Sequence, residues 1–135
     1  MYKRQIEAFL LRGATSGHAG TLPNAGLQAY GGAIAQVPDQ DTAFSHRDAL
    51  LEFGAGTSWT DPAEDETRMA AARRCAAALD QFASGAYVNA LSDEGYEGVR
   101  RAYPPGKLAR LTALKNAYDP GNVFHLNQNI RPTHR

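Results

Sequence analysis

The chain has 135 residues, of which 43% are hydrophobic and 21% charged, the usage of an ordinary globular domain, and a chain of this size can bury roughly two thirds of its unfolded surface without staples. Fourteen Lys and Arg balance fourteen Asp and Glu, so no basic field marks out nucleic acid as a partner and no acidic tail is present. No apolar run approaches the roughly 18 residues that a membrane span needs, and the single cysteine, Cys75, can form neither an internal disulfide nor a cysteine-based metal site. A cytoplasmic location is the default expectation.

Met1-Tyr2-Lys3-Arg4-Gln5 resembles the artefactual leader of a truncated gene translation, and residues 1–5 are set apart on that ground. Residues 6–11 are mostly apolar, and the stretch from Gly13 to Gly32 is dense in Gly, Ala, Ser, Thr, Pro and Asn, which reads as loops with a short strand. Gly31 to Val37, Thr42 to His46 and Leu50 to Phe53 are short apolar runs separated by turn residues, so an antiparallel group of two to four strands is predicted.

Asp61-Pro62-Ala63-Glu64 places an N-cap acceptor, a proline at the first helical position and a capping-box Glu in order. A helix is predicted from Pro62, with Met69, Ala72, Ala76, Leu79 and Ala83 as its apolar stripe and Ser84-Gly85 as its stop. Ala86 to Leu91 reads as a short strand. Ser92 is placed to cap a short helix through Arg101, which Pro104-Pro105 ends. Leu108, Leu111, Leu114 and Tyr118 stripe a further helix, stopped by Asp119-Pro120-Gly121-Asn122 before Val123-Phe124 returns to the core. Strands, helix, strand, helix, helix and tail make the fold class α+β, with helices on one face of an antiparallel sheet.

In this order the chain carries Gly31-Gly32-Ala33-Ile34-Ala35, Thr42-Ala43-Phe44-Ser45-His46-Arg47, Trp59-Thr60-Asp61-Pro62, Tyr87-Val88-Asn89, Arg110-Leu111 through Lys115, Tyr118-Asp119-Pro120 and Asn127-Gln128-Asn129-Ile130. Together they resemble the C-terminal region of bacterial berberine-bridge-enzyme-like FAD-linked oxidases. The resemblance implies a parent enzyme in which an upstream domain, missing here, holds FAD, and a second domain built on an antiparallel sheet forms the site for a small-molecule substrate. Residues 6–84 would then be the end of the substrate domain and residues 85–135 a segment that packs near the flavin. Alone, such a chain is expected to be inactive.

The resemblance also sets Asn89 and Tyr87 beside the isoalloxazine, where an amide offers both a donor and an acceptor to the ring's polar edge. Capping its own strand end is the plainer role for Asn89, and core packing the plainer one for Tyr87. Asn127, Gln128 and Asn129 either line the cofactor pocket or tie down the tail. Several related oxidases have a tyrosine base directly after the asparagine. Ala90 stands there and cannot take a proton, so the catalytic group is unassigned.

Other chemistries find no support in the spacing. His46 and Arg47, adjacent on a strand, would point to opposite faces, which removes Ser45-His46-Arg47-Asp48 as a hydrolase triad, and an exposed ion pair is the expected fate of Arg47. His18, His46, His125 and His134 have no ligand spacing, so no metal is expected. Gly54-Ala55-Gly56 lacks the rest of a nucleotide loop. Related enzymes often tether FAD through an upstream His and Cys; Cys75 matches neither, and no covalent flavin link is expected in this chain. A non-catalytic module that pairs with a second copy through its sheet is the alternative, because an open sheet edge must be covered.

Overall fold

A computed structural model describes residues 3–4, 7 and 24–133. The elements are β1 (Asn24–Ala29), α1 (Ala33–Gln36), β2 (Leu51–Gly56), α2 (Asp65–Asp80), α3 (Gly95–Ala102) and α4 (Pro105–Tyr118), with single turns of 3-10 helix at Asp39–Asp41, Pro62–Glu64 and Val88–Ala90. The class is α+β, as expected. The leader and the apolar residues 6–11 lie largely outside the described residues.

Two compact units divide the chain, one of Met1–Ala29 with Leu51–Ala83 and the other of Tyr30–Leu50 with Ser84–Arg135. In the first, β1 and β2 pair antiparallel with Leu27 opposite Phe53, Gln28 opposite Glu52 and Gly26 opposite Gly54. Helix α2 packs against β2. Its start follows the sequence signal: Asp61 Oδ1 accepts the Ala63 N–H at 2.9 Å, satisfying one of the amides that a helix start leaves unpaired. Glu64 does not complete a capping box. Its carboxylate turns forward to Arg68 at 3.1 Å, an i,i+4 pair, and the first turn is 3-10 before the α-helix begins at Asp65.

The half-buried face of α2 is also rotated from the expected stripe. Arg68, Ala71, Ala72, Cys75, Ala78 and Leu79 are half-buried, while Met69, Ala76 and Ala83 are exposed, and no residue of α2 is fully buried. Six alanines give the helix little contrast between its faces, so the aliphatic stem of Arg68 can cover apolar surface on the face that Met69 was expected to line.

The deepest packing lies in the second unit, at Val99 and Ala102 on α3, each 2% exposed, and at Lys107 on α4. Here three strand expectations are corrected. Residues 31–37 turn at Gly31 (φ 127°) and Gly32 (φ 52°), conformations open mainly to glycine, and then coil into α1. Thr42 to His46 is a loop, and Ala86 to Leu91 contains the 3-10 turn Val88–Ala90. The 34–44 loop is held by cations instead of a ladder: Arg47 donates to the Ile34 carbonyl at 3.0 Å, Arg110 to that of Gln40 at 2.9 Å and Lys107 to that of Phe44 at 2.7 Å. Among the described residues Arg47 thus has no ion pair of the expected kind. Its second nitrogen donates to Thr42 Oγ1, and its guanidinium lies 4.9 Å above the Phe44 ring.

Helix α4 departs from its expected stripe at the C-terminal end, where Leu114 is 54% and Tyr118 85% exposed. The tail beyond it does not return to the core. Asp119 accepts the N–H groups of Val123 (2.7 Å) and Phe124 (3.1 Å) and pairs with Lys115, whose ammonium also donates to the Phe124 carbonyl. These bonds tie the backbone down while the Val123, Phe124 and Leu126 side chains stand exposed.

Candidate functional site

Gly85 opens the segment that carries the candidate residues, and its lack of a side chain is required: a Cβ there would lie 2.1 Å from the His46 imidazole. His46 occupies a left-handed conformation (φ 59°) in its loop, and its Nε2 lies 2.9 Å from the Arg101 carbonyl. A carbonyl only accepts, so Nε2 carries the proton. The same carbonyl accepts the Ala86 N–H at 3.2 Å, and the chain is thereby tied to the end of α3 just before Tyr87.

From this anchor Tyr87 leads into the 3-10 turn, with the Ala90 N–H donating to the Tyr87 carbonyl at 2.9 Å. The turn brings two of the candidates together. Asn89 Nδ2 donates to the Tyr87 hydroxyl at 2.8 Å, and both residues remain exposed. The phenol oxygen is thereby an acceptor for Asn89, leaving its own O–H to donate elsewhere, and the Asn89 Oδ1 keeps its acceptor capacity. Behind Tyr87 stands an aromatic row: the Phe44 ring meets it edge-on at 5.7 Å and 60°, and Tyr30 lies 6.2 Å beyond Phe44. Ala90, next in line, is exposed and brings no titratable group.

The second polar cluster is arranged by its backbone. Asn127 takes a left-handed conformation (φ 56°), which asparagine tolerates better than most residues, and its carbonyl accepts the Asn129 N–H at 3.0 Å. Gln128 Nε2 donates to the Ser92 carbonyl at 3.3 Å, which ties the tail to the chain three residues past Asn89. Asn129 Oδ1 is buried without a hydrogen-bond partner. Amides that present donors, exposed acceptors and one buried unpaired acceptor match the alternating polar edge of an isoalloxazine or the hydroxyls of its side chain. The donor and acceptor types present are compatible with the polar edge of a flavin ring.

Sequence reasoning did not single out Lys107 or Phe44, which stand behind this turn, because neither residue type in a local pattern announces a contact made more than sixty residues away. Among the described residues no group of His, Cys, Asp and Glu is placed to hold a metal ion, and no helix is long and apolar enough to cross a membrane. His18 and His134 lie outside the described residues.

Comparison with known proteins finds relatives named as FAD-linked oxidoreductases. Residues 86–131 match the family model "Berberine and berberine like", so this segment is a berberine-like region. It is 34% identical over 104 residues to the FAD-linked oxidoreductase YvdP of Bacillus subtilis, covering 77% of this chain and 23% of that protein. With the aclacinomycin-N/aclacinomycin-A oxidase of Streptomyces galilaeus the identity is 29% over 124 residues, 78% of this chain and 23% of the oxidase. The crystal structure of the glycopeptide hexose oxidase DBV29, complexed with teicoplanin, superposes with a TM-score of 0.79 at 27% identity, over 96% of this chain and 30% of that one. The chain thus spans about a quarter of the length of the curated relatives it matches.

Proposed function

We propose that the chain supplies the substrate-side ribbon and the flavin-facing C-terminal segment of an FAD-dependent oxidoreductase that transfers a hydride from a small organic substrate to the flavin. FAD, where bound, supplies the hydride acceptor. The residues of this chain orient and tune: Asn89 offers Oδ1 to the ring's polar edge while Tyr87 holds its amide, and the turn at Asn127 to Asn129 closes the polar wall with Gln128 anchored at Ser92.

The observation that carries this reading is the Asn89–Tyr87 bond, which pre-orients an exposed amide and an exposed phenol in the segment where the berberine-like match begins. Supporting it, Leu114, Tyr118, Val123, Phe124 and Leu126 stand 54–85% exposed at the end of α4 and in the tail after it, where Lys115 bonds Asp119 and the Phe124 carbonyl. A surface built this way is suited to being covered, and the flavin-holding part of the parent protein is the proposed cover. Self-association of two copies is the rival cover, and the substrate-side partner remains a small molecule.

The test is a chimera in which residues 24–133 replace the matching stretch of YvdP. The expected product is yellow, and Asn89→Leu alters its flavin reduction potential or its rate of reduction, at a cost of about 1–3 kcal/mol for a cofactor edge left unpaired. A folded, flavin-loaded chimera in which Asn89→Leu leaves absorbance, potential and rate unchanged while lowering thermal stability would overturn the reading.

A further inference from the structure

We propose that Lys107 is a positioning residue that fixes the orientation of the Tyr87–Asn89 pair through Phe44; this rests on the flavin-facing reading of that pair and assigns its control to a side chain on another element. Lys107 lies in the first turn of α4 and is 4% exposed, the most deeply buried charged residue among those described. Burying an ammonium is costly unless every proton has a partner, and an apolar residue would fill such a position at no such cost. The charge therefore calls for a reason beyond packing.

Its two partners show what it holds. Nζ lies 3.0 Å from Asp39 Oδ2 and donates to the Phe44 carbonyl at 2.7 Å. Asp39 is 40% exposed and could be paired by any cation at the surface. The Phe44 carbonyl, 63 residues away in sequence, is the partner that ties Lys107 to the aromatic row. The Phe44 ring has neighbours of its own: the Arg47 guanidinium lies over it and Tyr30 beside it. With its backbone pinned by Lys107 and its ring clamped by Arg47 and Tyr30, Phe44 presents the surface against which Tyr87 rests edge-on. Tyr87 in turn accepts from Asn89. Each link is a direct contact, and all lie in one compact unit.

This relay makes a demand that a merely stabilising lysine does not. Removing the ammonium frees the Phe44 carbonyl, the ring loses its fixed pose, and Tyr87 rotates away from Asn89. Removing an equally local contact elsewhere in the unit has no such effect. Asn116 supplies the comparison, because it exchanges two hydrogen bonds with Thr133 and none with the aromatic row.

The experiment is nuclear magnetic resonance on the isotope-labelled 135-residue chain, read at the Asn89 side-chain amide and the Tyr87 ring. Lys107→Met is expected to return the hydrogen-bonded Asn89 amide proton to its unbonded position and to shift the Tyr87 ring signals. Lys107→Arg, which keeps a donor and a charge, restores both in part, and Asn116→Ala moves neither. The proposal is overturned if Lys107→Met lowers the melting midpoint with the Asn89 amide unmoved, or if Asn116→Ala moves that amide as far. Should Lys107→Met yield no folded chain, Phe44→Leu decides, since it leaves the Lys107 bond to the carbonyl and deletes only the ring: an unmoved Asn89 amide then sinks the relay. No flavin enters these measurements, so an intact relay beside an Asn89→Leu chimera of unchanged potential would reject the flavin-facing reading alone.

Discussion

His46 lies directly over Gly85, with its imidazole in the space a β-carbon at position 85 would occupy and its Nε2–H spent on the Arg101 carbonyl. Gly85→Ala must therefore displace a ring that is itself held by a hydrogen bond and a left-handed backbone. A cost of about 1–3 kcal/mol is expected, as for other overpacked positions. His46→Ala empties that space. The double variant should then recover much of the Gly85→Ala loss, a coupling that a denaturant-melt cycle measures directly, and additive losses would show that the ring moves aside freely.

Helix α2 offers a contrast between a cap and a stripe. Asp61→Ala removes the acceptor for the Ala63 N–H and should cost about 0.5–2 kcal/mol. Leu79 is only half-buried, so Leu79→Ala should fall short of the roughly 2–5 kcal/mol of a fully buried leucine. Urea melts of the two variants check both values, and a Leu79→Ala loss in the fully buried range would mean that this face of α2 is covered in solution.

The difference between those two residues also shows what the sequence could disclose. Asp61-Pro62 is a local signal whose chemistry is complete within three residues, and β2 is a local run bounded by turns, so both were legible. A short strand was expected somewhere between Gly13 and Gly32, and β1 lies there, but Gly26 has no side chain to mark the alternation, so its bounds were not legible. The run from Gly31 to Val37 has the composition of a strand, yet two left-handed glycines and the bond from Arg47 to the Ile34 carbonyl make it a turn of helix. In the candidate site, Tyr87, Asn89 and Gln128 were singled out by resemblance, whereas the contact of Lys107 with the Phe44 carbonyl is one that no spacing encodes. The apolar pattern of Leu114, Tyr118 and Val123-Phe124 was equally visible, but a pattern names a face to be covered without naming its cover.

The Lys115–Asp119 pair predicts a local acid transition. The hydrogen bond from the Lys115 side chain holds the Asp119 carboxyl below its ordinary value; burial opposes it, and the Val123 and Phe124 amides add smaller lowering effects. A folded-state pKa below the unfolded one means that protonation favours the unfolded loop. The contribution is complete above the ordinary aspartate value of about 3.9 and is lost as the pH falls through the lower folded value. Amide exchange at Val123 and Phe124 should accelerate in that window before the α3 core opens, and Asp119→Asn should abolish the pH dependence. Loss of both amides only together with Val99 would count against a local brace.

The isolated chain should hold FAD weakly, because Tyr87, Asn89 and the Asn127 to Asn129 turn reach at most the ring end of a large ligand. Titration of flavin fluorescence measures this. Submicromolar affinity, about 8 kcal/mol or more, would mean that the chain carries further parts of the site, and the open face of the β1–β2 ribbon around Gly26, Gln28, Glu52 and Gly54 would be the first place to look.

Ala90 provides the last test, and it separates the cofactor question from the question of the base. Position 90 follows Asn89 in the same 3-10 turn and is exposed, so a tyrosine there can be accommodated without repacking a core. In the YvdP chimera, Ala90→Tyr should leave flavin binding unchanged, because the Asn89–Tyr87 bond does not involve residue 90. A phenol at that position adds a group able to take a proton from substrate once ionised, which for an unperturbed tyrosine occurs near pH 10. The expected outcome is a faster reductive half-reaction that emerges only toward high pH, read by stopped-flow bleaching of the flavin. If the rate is unchanged at every pH while Asn89→Leu still shifts the potential, proton removal belongs to a residue elsewhere in the parent enzyme, and this segment serves the flavin alone.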